Sequence, residues 1–155
     1  MKAIQLEDGI KSFNSTPKAW GSVVGGFNTL SDSDLEGYGF YDIVTPVITA
    51  SQELGSIEWD ADNSVFTFPI NNKTFAQSLV ELKAQKISNL KYNYGSELAK
   101  TDWIIIRDQE LGNTTDSNVL SSRATLRSEC ATHETSINSK TTKAQVADYL
   151  LPNLI

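Results

Sequence analysis

The chain has 155 residues, enough for one ordinary domain or two small ones, and its 39% apolar and 21% charged residues are typical of a folded protein and not of a disordered one. Its formal net charge is −6, with 13 basic against 19 acidic residues, and because nucleic-acid binding depends on clustered Lys and Arg, the scattered basic residues argue against a nucleic acid or an anionic membrane as partner. No stretch approaches the ~20 apolar residues that a membrane helix needs, and Glu7 and Asp8 lie where a signal peptide would have its apolar core.

Strand and turn signals dominate residues 1–71, for which we predict a small β-rich head domain. The first pair of strands is expected at Lys2–Leu6 and Ile10–Phe13, joined through Asp8-Gly9, a favoured turn dipeptide. Phe40–Ile48 is rich in β-branched and aromatic residues, which predicts a further strand. Pro46 has no amide hydrogen to donate, so this strand should lie at an edge or end there.

Two more elements are predicted in the same part of the chain. Ser31–Glu36 combines a first Ser with acidic residues, a pattern typical of a capped helical turn. Ser56–Trp59 and Val65–Ile70 alternate apolar and polar residues on either side of Asp60–Ser64, which predicts a β-hairpin.

Residues 72–155 change to helical spacing, and we predict helices over about residues 74–98, 102–111 and 116–137 and a last short one over 144–151. The third helix carries a stripe at steps of three and four, which comprises Val119, Arg123, Leu126, Cys130, His133 and Ile137. Two long helices with few core partners in the chain suggest a helical hairpin that completes its burial against another molecule. The fold class predicted from both halves is α+β.

Cys130 and His133 are the only cysteine and the only histidine. At i, i+3 on one helix they present two metal ligands, but a structural zinc site needs four. A Cys-His nucleophile pair also requires a third residue to orient the histidine and an oxyanion hole, which nothing else in the sequence indicates. Core or interface roles are therefore favoured for both residues.

Asp60, Asp62 and Ser64 resemble the first ligands of a calcium loop. Such a loop needs Gly at position six and Glu at position twelve, where this chain has Val65 and Asn71. A hairpin turn is the better interpretation, and the sequence predicts no catalytic, cofactor or metal site.

One segment resembles a known family. Ala99–Gly112 contains Thr-Asp-Trp, an apolar step, Arg107 and an acidic stretch, and is followed by an Arg-x-x-Leu-Arg helix within Val119–Arg127. This pattern is similar to that of tail fibre assembly chaperones and related small tail proteins of tailed bacteriophages. Upstream, Tyr38–Pro46 and Gln52–Gly55 resemble the small β region of such proteins, so that the resemblance spans roughly residues 38–130.

The resemblance implies a non-enzymatic protein of the phage tail that binds tail fibre or baseplate proteins within an oligomeric assembly. We expect it in the virion tail, or in the host cytoplasm during assembly; the alternatives are a chaperone released after fibre assembly and an unrelated small enzyme. Residues 1–37 and 131–155 lie outside the resemblance and are candidate docking arms.

The family pattern implies a helix-turn-helix clasp formed by Asp102, Trp103, Arg107, Arg123 and Arg127. The candidate partner-binding residues are Trp103, Arg107, Arg123, Leu126, Arg127 and Ile137. We expect the arginines to bridge acidic groups across the hairpin and Trp103→Ala to disrupt the clasp.

Overall fold

A computed structural model describes residues 1–154. It divides into two compact units, Met1–Lys73 and the chain from Thr74 onwards. The boundary predicted from sequence, between residues 71 and 72, lies two residues earlier. The first unit contains seven short strands and one helix, and the second contains four helices. The α+β fold class is thereby confirmed.

The strands of the first unit form three small antiparallel sheets, ordered β2-β1-β3, β4-β7 and β5-β6. The elements are β1 (Lys2–Leu6), β2 (Gly9–Phe13), α1 (Asp32–Gly37), β3 (Tyr41–Asp42), β4 (Gln52–Leu54), β5 (Glu58–Asp60), β6 (Val65–Thr67) and β7 (Ile70–Asn72), with a 3₁₀ turn at Phe27–Thr29 between β2 and α1. Both predicted hairpins are confirmed, as β1–β2 and β5–β6. The predicted helical turn is α1, whose N-cap Ser31 accepts a hydrogen bond from the Asp34 amide.

The strand predicted over Phe40–Ile48 is wrong for most of its length. Only Tyr41–Asp42 pairs as a strand, and Ile43 adds one isolated parallel bridge to Phe66. Pro46 lacks the amide hydrogen that a continued ladder requires. β-branched residues beyond it, such as Val47, are exposed.

The core of the first unit is aromatic. Ile4, Phe27, Leu35 and Phe40 are buried together, and Trp20 packs edge-on against Phe40 with ring centroids 4.9 Å apart. Residues 1–37 therefore contribute most of this core, and the structure does not show them as a projecting docking arm.

Lys2 is a buried cation that joins three elements of this unit. Its Nζ lies 2.9 Å from an Asp32 carboxylate oxygen and 3.1 Å from one of Asp42. Burial opposes the charged form, but the hydrogen bonds and charges of the two carboxylates outweigh it and raise the Lys2 pKa. Lys2 on β1 is thus held charged between α1 and β3.

The second unit consists of α2 (Leu79–Ala99), α3 (Asp102–Glu110), α4 (Ser117–Asn138) and α5 (Lys143–Ala147). The structure begins α2 five residues later than predicted, because Ser78 and Glu81 form a reciprocal capping box that fixes the first turn. Gly95 lies within this helix and does not end it. No helix among residues 1–154 is long and apolar enough to cross a bilayer.

Helices α2 and α4 run antiparallel, as a helical hairpin requires. Lys83 contacts the carbonyl of Asn138 and Lys91 contacts Glu134, so the contacts on α4 move toward its N-terminus as those on α2 move toward its C-terminus. The buried side chains between them are Leu90, Tyr94 and Ile137, with Ile87, Leu126, Cys130, Tyr149, Leu151 and Leu154 packed around them.

Residues 131–155 were a candidate docking arm, but the described part folds onto its own unit. Val146 of α5 is 1% exposed, and Lys86 donates a hydrogen bond to the Ala147 carbonyl. The two long helices therefore have more core partners within the chain than the sequence suggested.

Candidate partner-binding surface on the helical unit

Arg123 of α4 fixes the corner between α2 and α3. Its Nη1 donates hydrogen bonds of 2.6 Å to the Leu98 carbonyl and to the Thr101 hydroxyl, and its Nη2 lies 2.6 Å from an Asp102 carboxylate oxygen. The Arg123 side chain is only 10% exposed. A planar guanidinium can satisfy several acceptors at once in fixed directions, and here it joins three elements at one point.

The corner needs such a donor because of the way the helices end. The last carbonyls of α2 have no amide partner further along that helix, and one of them, that of Leu98, accepts instead from the Thr101 amide at 3.1 Å. Thr101, the N-cap of α3, makes no side-chain hydrogen bond to the α3 backbone; its hydroxyl instead donates to the Leu98 carbonyl at 3.1 Å. Arg123 and Thr101 together satisfy this carbonyl and so hold α3 at a set position.

Helix α3 presents apolar side chains outward from this fixed corner. Trp103 is 58% exposed and Ile106 is 55% exposed. They are three residues apart, which makes them neighbours on one helix face. Leu111, directly after α3, is 66% exposed.

Arg107 was predicted to bridge the hairpin, but it does not. Its guanidinium pairs with the adjacent Asp108 at 2.7 Å and lies over the Trp103 ring, 5.0 Å from the centroid. An arginine one turn after a tryptophan reaches the indole face more easily than it reaches another helix. Arg107 thus covers one side of Trp103 and leaves a mixed apolar and cationic surface.

The six candidate residues therefore separate by location. Trp103, Arg107 and Arg127 are exposed, and Arg123 forms the clasp. Ile137 is fully buried in the helical core and Leu126 packs against it, so these two stabilise the unit and do not belong to an exposed binding surface. The stripe of α4 that contains both residues faces α2 and forms the inner face of the hairpin.

Trp103 was expected to be part of the clasp, and the structure corrects this. The clasp consists of Arg123 with Leu98, Thr101 and Asp102, and the Trp103 side chain points to solvent. Trp103, Ile104, Ile105 and Ile106 are consecutive apolar residues that surround a helix on several sides, so a helix packed on one side must expose some of them. This run of apolar residues was the signal that could have identified Ile106 as part of an exposed surface, but Ile106 was not among the candidate residues.

His133 and Cys130 show no arrangement for nucleophilic catalysis. Nδ1 of His133 lies 2.6 Å from the Tyr149 hydroxyl, so this nitrogen is engaged by tyrosine. Burial raises the pKa of the Cys130 thiol, and the Glu134 carboxylate raises it further against the opposing charge of Lys91. Since the thiolate is the nucleophile, a raised pKa lowers reactivity.

Within the described residues, no group of three or more His, Cys, Asp or Glu could hold a metal ion.

We expect Cys130 to react with a disulfide reagent more slowly than free glutathione at about pH 8, and its rate to rise at higher pH than that of glutathione. The same shift should make the free energy of unfolding fall as pH rises above the ordinary thiol pKa, because the unfolded chain loses its proton first. Stopped-flow thiol titration against pH measures the first effect, with the chain in guanidinium as control. A native rate equal to that of the unfolded chain would contradict the shielding of this thiol.

The Asp60–Ser64 segment is a hydrogen-bonded turn. One carboxylate oxygen of Asp60 accepts from the amides of Asp62 and Asn63, and the other accepts from the Asn63 side chain. These hydrogen bonds hold the pKa of Asp60 below its usual range, and the two from Asn63 have a larger effect than the one from the Asp62 amide. Both carboxylate oxygens of Asp60 are thus hydrogen-bonded within the turn, which supports the hairpin interpretation.

We found no family model, curated protein or solved structure that matches the chain.

Proposed function

We propose that this chain is a non-enzymatic component of a bacteriophage tail, which acts in the structure or assembly of the tail fibre or baseplate by binding other tail proteins. The resemblance of Ala99–Gly112 and Val119–Arg127 to small tail proteins supports this proposal. The observation that carries it is the exposed apolar surface of α3, held at a fixed corner by Arg123.

The physical chemistry of this surface favours a protein partner. Burying an exposed indole stabilises a complex through the loss of apolar accessible surface, and Trp and Arg are the residues most often found at the energetic centre of interfaces. Because the Arg123 clasp already orders the corner, binding there loses less conformational entropy than binding by a flexible segment. Trp103 and Arg107 are therefore the expected anchors.

Mass spectrometry of purified phage particles tests the proposal, with the chain quantified against a major tail protein. A constant copy number per particle would identify a permanent tail component. Abundance in the infected lysate with absence from particles would identify the released chaperone, which uses the same surface transiently. Absence of any association with tail proteins in both fractions would overturn the proposal.

Trp103→Ala tests the surface itself. Because the indole is largely exposed and outside the clasp, we expect the free energy of unfolding to change by no more than about 0.5 kcal/mol. Binding to the tail protein identified in the particles should weaken about tenfold or more, as for an anchor residue. Isothermal titration calorimetry measures the affinity.

Tyr92→Ala is the matched control for this substitution. Tyr92 is an aromatic residue of α2 with 76% exposure and lies outside the proposed surface, so binding should not change. Equal affinities of Trp103→Ala and the unmodified chain would exclude α3 as the binding surface.

A further inference from the structure

The first unit contains an aromatic cleft that is independent of α3. It is lined by Tyr41, Trp59 and Phe66, with Gln5 and Gly39 at its edges, and has a volume of 380 Å³. The ring centroids of Tyr41 and Trp59 are 4.6 Å apart, and those of Trp59 and Phe66 are 5.0 Å apart. Phe66 is buried and forms the floor, while Tyr41 is half-buried and Trp59 is 39% exposed.

Strand pairing builds the cleft. Trp59 and Phe66 are directly opposite in the β5–β6 hairpin, so their side chains project from the same face. The chain after β3 is joined to β6 where the Val44 amide donates to the Phe66 carbonyl at 2.8 Å and the Thr67 hydroxyl donates to the Val44 carbonyl at 3.0 Å. These bonds place Tyr41 beside the hairpin and fix the three rings relative to one another.

Some of the other aromatic rings are covered by the chain's own cations. Lys11 lies 5.5 Å from the centroid of Phe13, Lys140 lies 5.4 Å from that of Tyr149, and Arg107 covers Trp103. Within residues 1–154, no lysine or arginine lies over Tyr41, Trp59 or Phe66. The accessible parts of the Tyr41 and Trp59 rings, above the buried Phe66, are therefore open to a cation from outside the chain.

The charge of the chain is concentrated in the same unit. Residues 1–73 contain four lysines and no arginine against ten acidic residues, a formal net charge of −6, whereas residues 74–155 contain nine basic and nine acidic residues and are neutral. Glu58 and Asp60 flank Trp59 in β5 and therefore project from the opposite face of the hairpin, so the acidic residues act on the cleft at long range and not by direct contact. The negative potential of this unit attracts cations, and the electron-rich ring faces bind them at short range.

We propose that the Tyr41–Trp59–Phe66 cleft binds an arginine side chain carried on an extended segment of a partner protein. Arginine fits better than lysine because its guanidinium is planar, stacks on aromatic rings and is more weakly hydrated. The Gln5 side chain supplies an amide oxygen at the edge of the cleft as an acceptor for the guanidinium N–H groups. The proposal concerns a different surface from α3 and holds whether or not the partner is a tail protein.

The test compares two blocked pentapeptides, Gly-Ser-Arg-Ser-Gly and the same peptide with citrulline in place of arginine. Citrulline keeps the planar shape and removes the charge, so the pair isolates the cation. Binding to the full chain is followed by the NMR shift of the Trp59 indole N–H. We expect the arginine peptide to bind about fivefold or more tightly than the citrulline peptide, and to bind more weakly as salt increases.

Two variants locate the site. Trp59→Leu keeps an apolar wall without a π face, so it should abolish the preference for arginine over citrulline; because this variant lacks the indole, its binding is followed by the backbone amide shift of Phe66. Val24→Ala, at a 91% exposed position of the same unit outside the cleft, should keep the preference. Tyr41→Leu, followed by the same indole signal, provides a second variant if Trp59→Leu does not fold. Equal binding of the two peptides by the unmodified chain, or tighter binding of a proline-rich peptide of the same length, would overturn the proposal without bearing on the α3 surface.

Discussion

Arg123→Met is expected to lower the free energy of unfolding of the helical unit by about 2–3 kcal/mol. The substitution keeps the length and the apolar stem of the side chain. It removes the shortest of the hydrogen bonds to the Leu98 carbonyl, which keeps its bonds from Thr101, and it removes the donor to the Thr101 hydroxyl. The loss comes mainly from these partners, because Asp102 is 53% exposed and water can solvate its carboxylate.

Chemical denaturation followed by circular dichroism at 222 nm measures this effect, since nearly all helical residues belong to the second unit. Arg127→Met is the matched control, because Arg127 is an exposed arginine one turn later on α4, and it should change the stability by no more than about 0.5 kcal/mol. Asp102→Asn should cost less than about 1 kcal/mol, as for an exposed ion pair. If Arg123→Met and Arg127→Met were equally stable, the clasp would not hold the corner.

Leu90→Ala is expected to destabilise the helical unit by about 3 kcal/mol. Leu90 is fully buried and packs with Tyr94 and Ile137 between α2 and α4. Truncation removes apolar burial and leaves a cavity that two helices joined by side-chain hydrogen bonds cannot close completely. The same denaturation experiment measures the loss.

Val80→Ala provides the comparison on the same helix. Val80 is seven residues before Ile87, a helical spacing that predicts the same face for both, but its side chain is 76% exposed, and alanine has the higher helix propensity. We expect its effect to remain within about 0.5 kcal/mol of zero. A loss at Val80 as large as that at Leu90 would show that the first turn of α2 is buried, contrary to the structure.

The sequence predicted the helical unit more accurately than the β-rich unit. The steps of three and four from Arg123 to Ile137 correctly identified the inner face of α4, because a helix repeats locally and its pattern can be read without knowing its partner. The same reasoning failed at Val80, where the pattern continued past the end of the packed surface. Periodicity reports which residues share a face, but not how far the neighbouring helix extends.

In the first unit, the pairing of β4 with β7 could not be predicted. Gln52–Leu54 pairs with Ile70–Asn72, and neither segment has the apolar alternation of a strand. Both contain polar residues, and all of Ile70–Asn72 is exposed, so no buried face imposed a pattern. The β5–β6 hairpin between them brings the two segments together, and this is a consequence of tertiary structure.

The candidate sites show the same division. The arginines were predicted together to bridge acidic groups, and Arg123 does so with Asp102. Its bonds to Leu98 and Thr101 depend on the angle between α2 and α3, which no local pattern specifies. The aromatic cleft was missed because Tyr41 lies in a different strand pair from Trp59 and Phe66.

The uneven distribution of charge has a kinetic consequence. For a cationic partner, long-range attraction acts on residues 1–73, so ionic strength should change mainly the association rate constant. The proposed α3 surface belongs to a unit with no net charge, so it would act only at contact, and substitutions of Trp103 should change mainly the dissociation rate constant. A partner that uses both units would be captured through one and retained through the other.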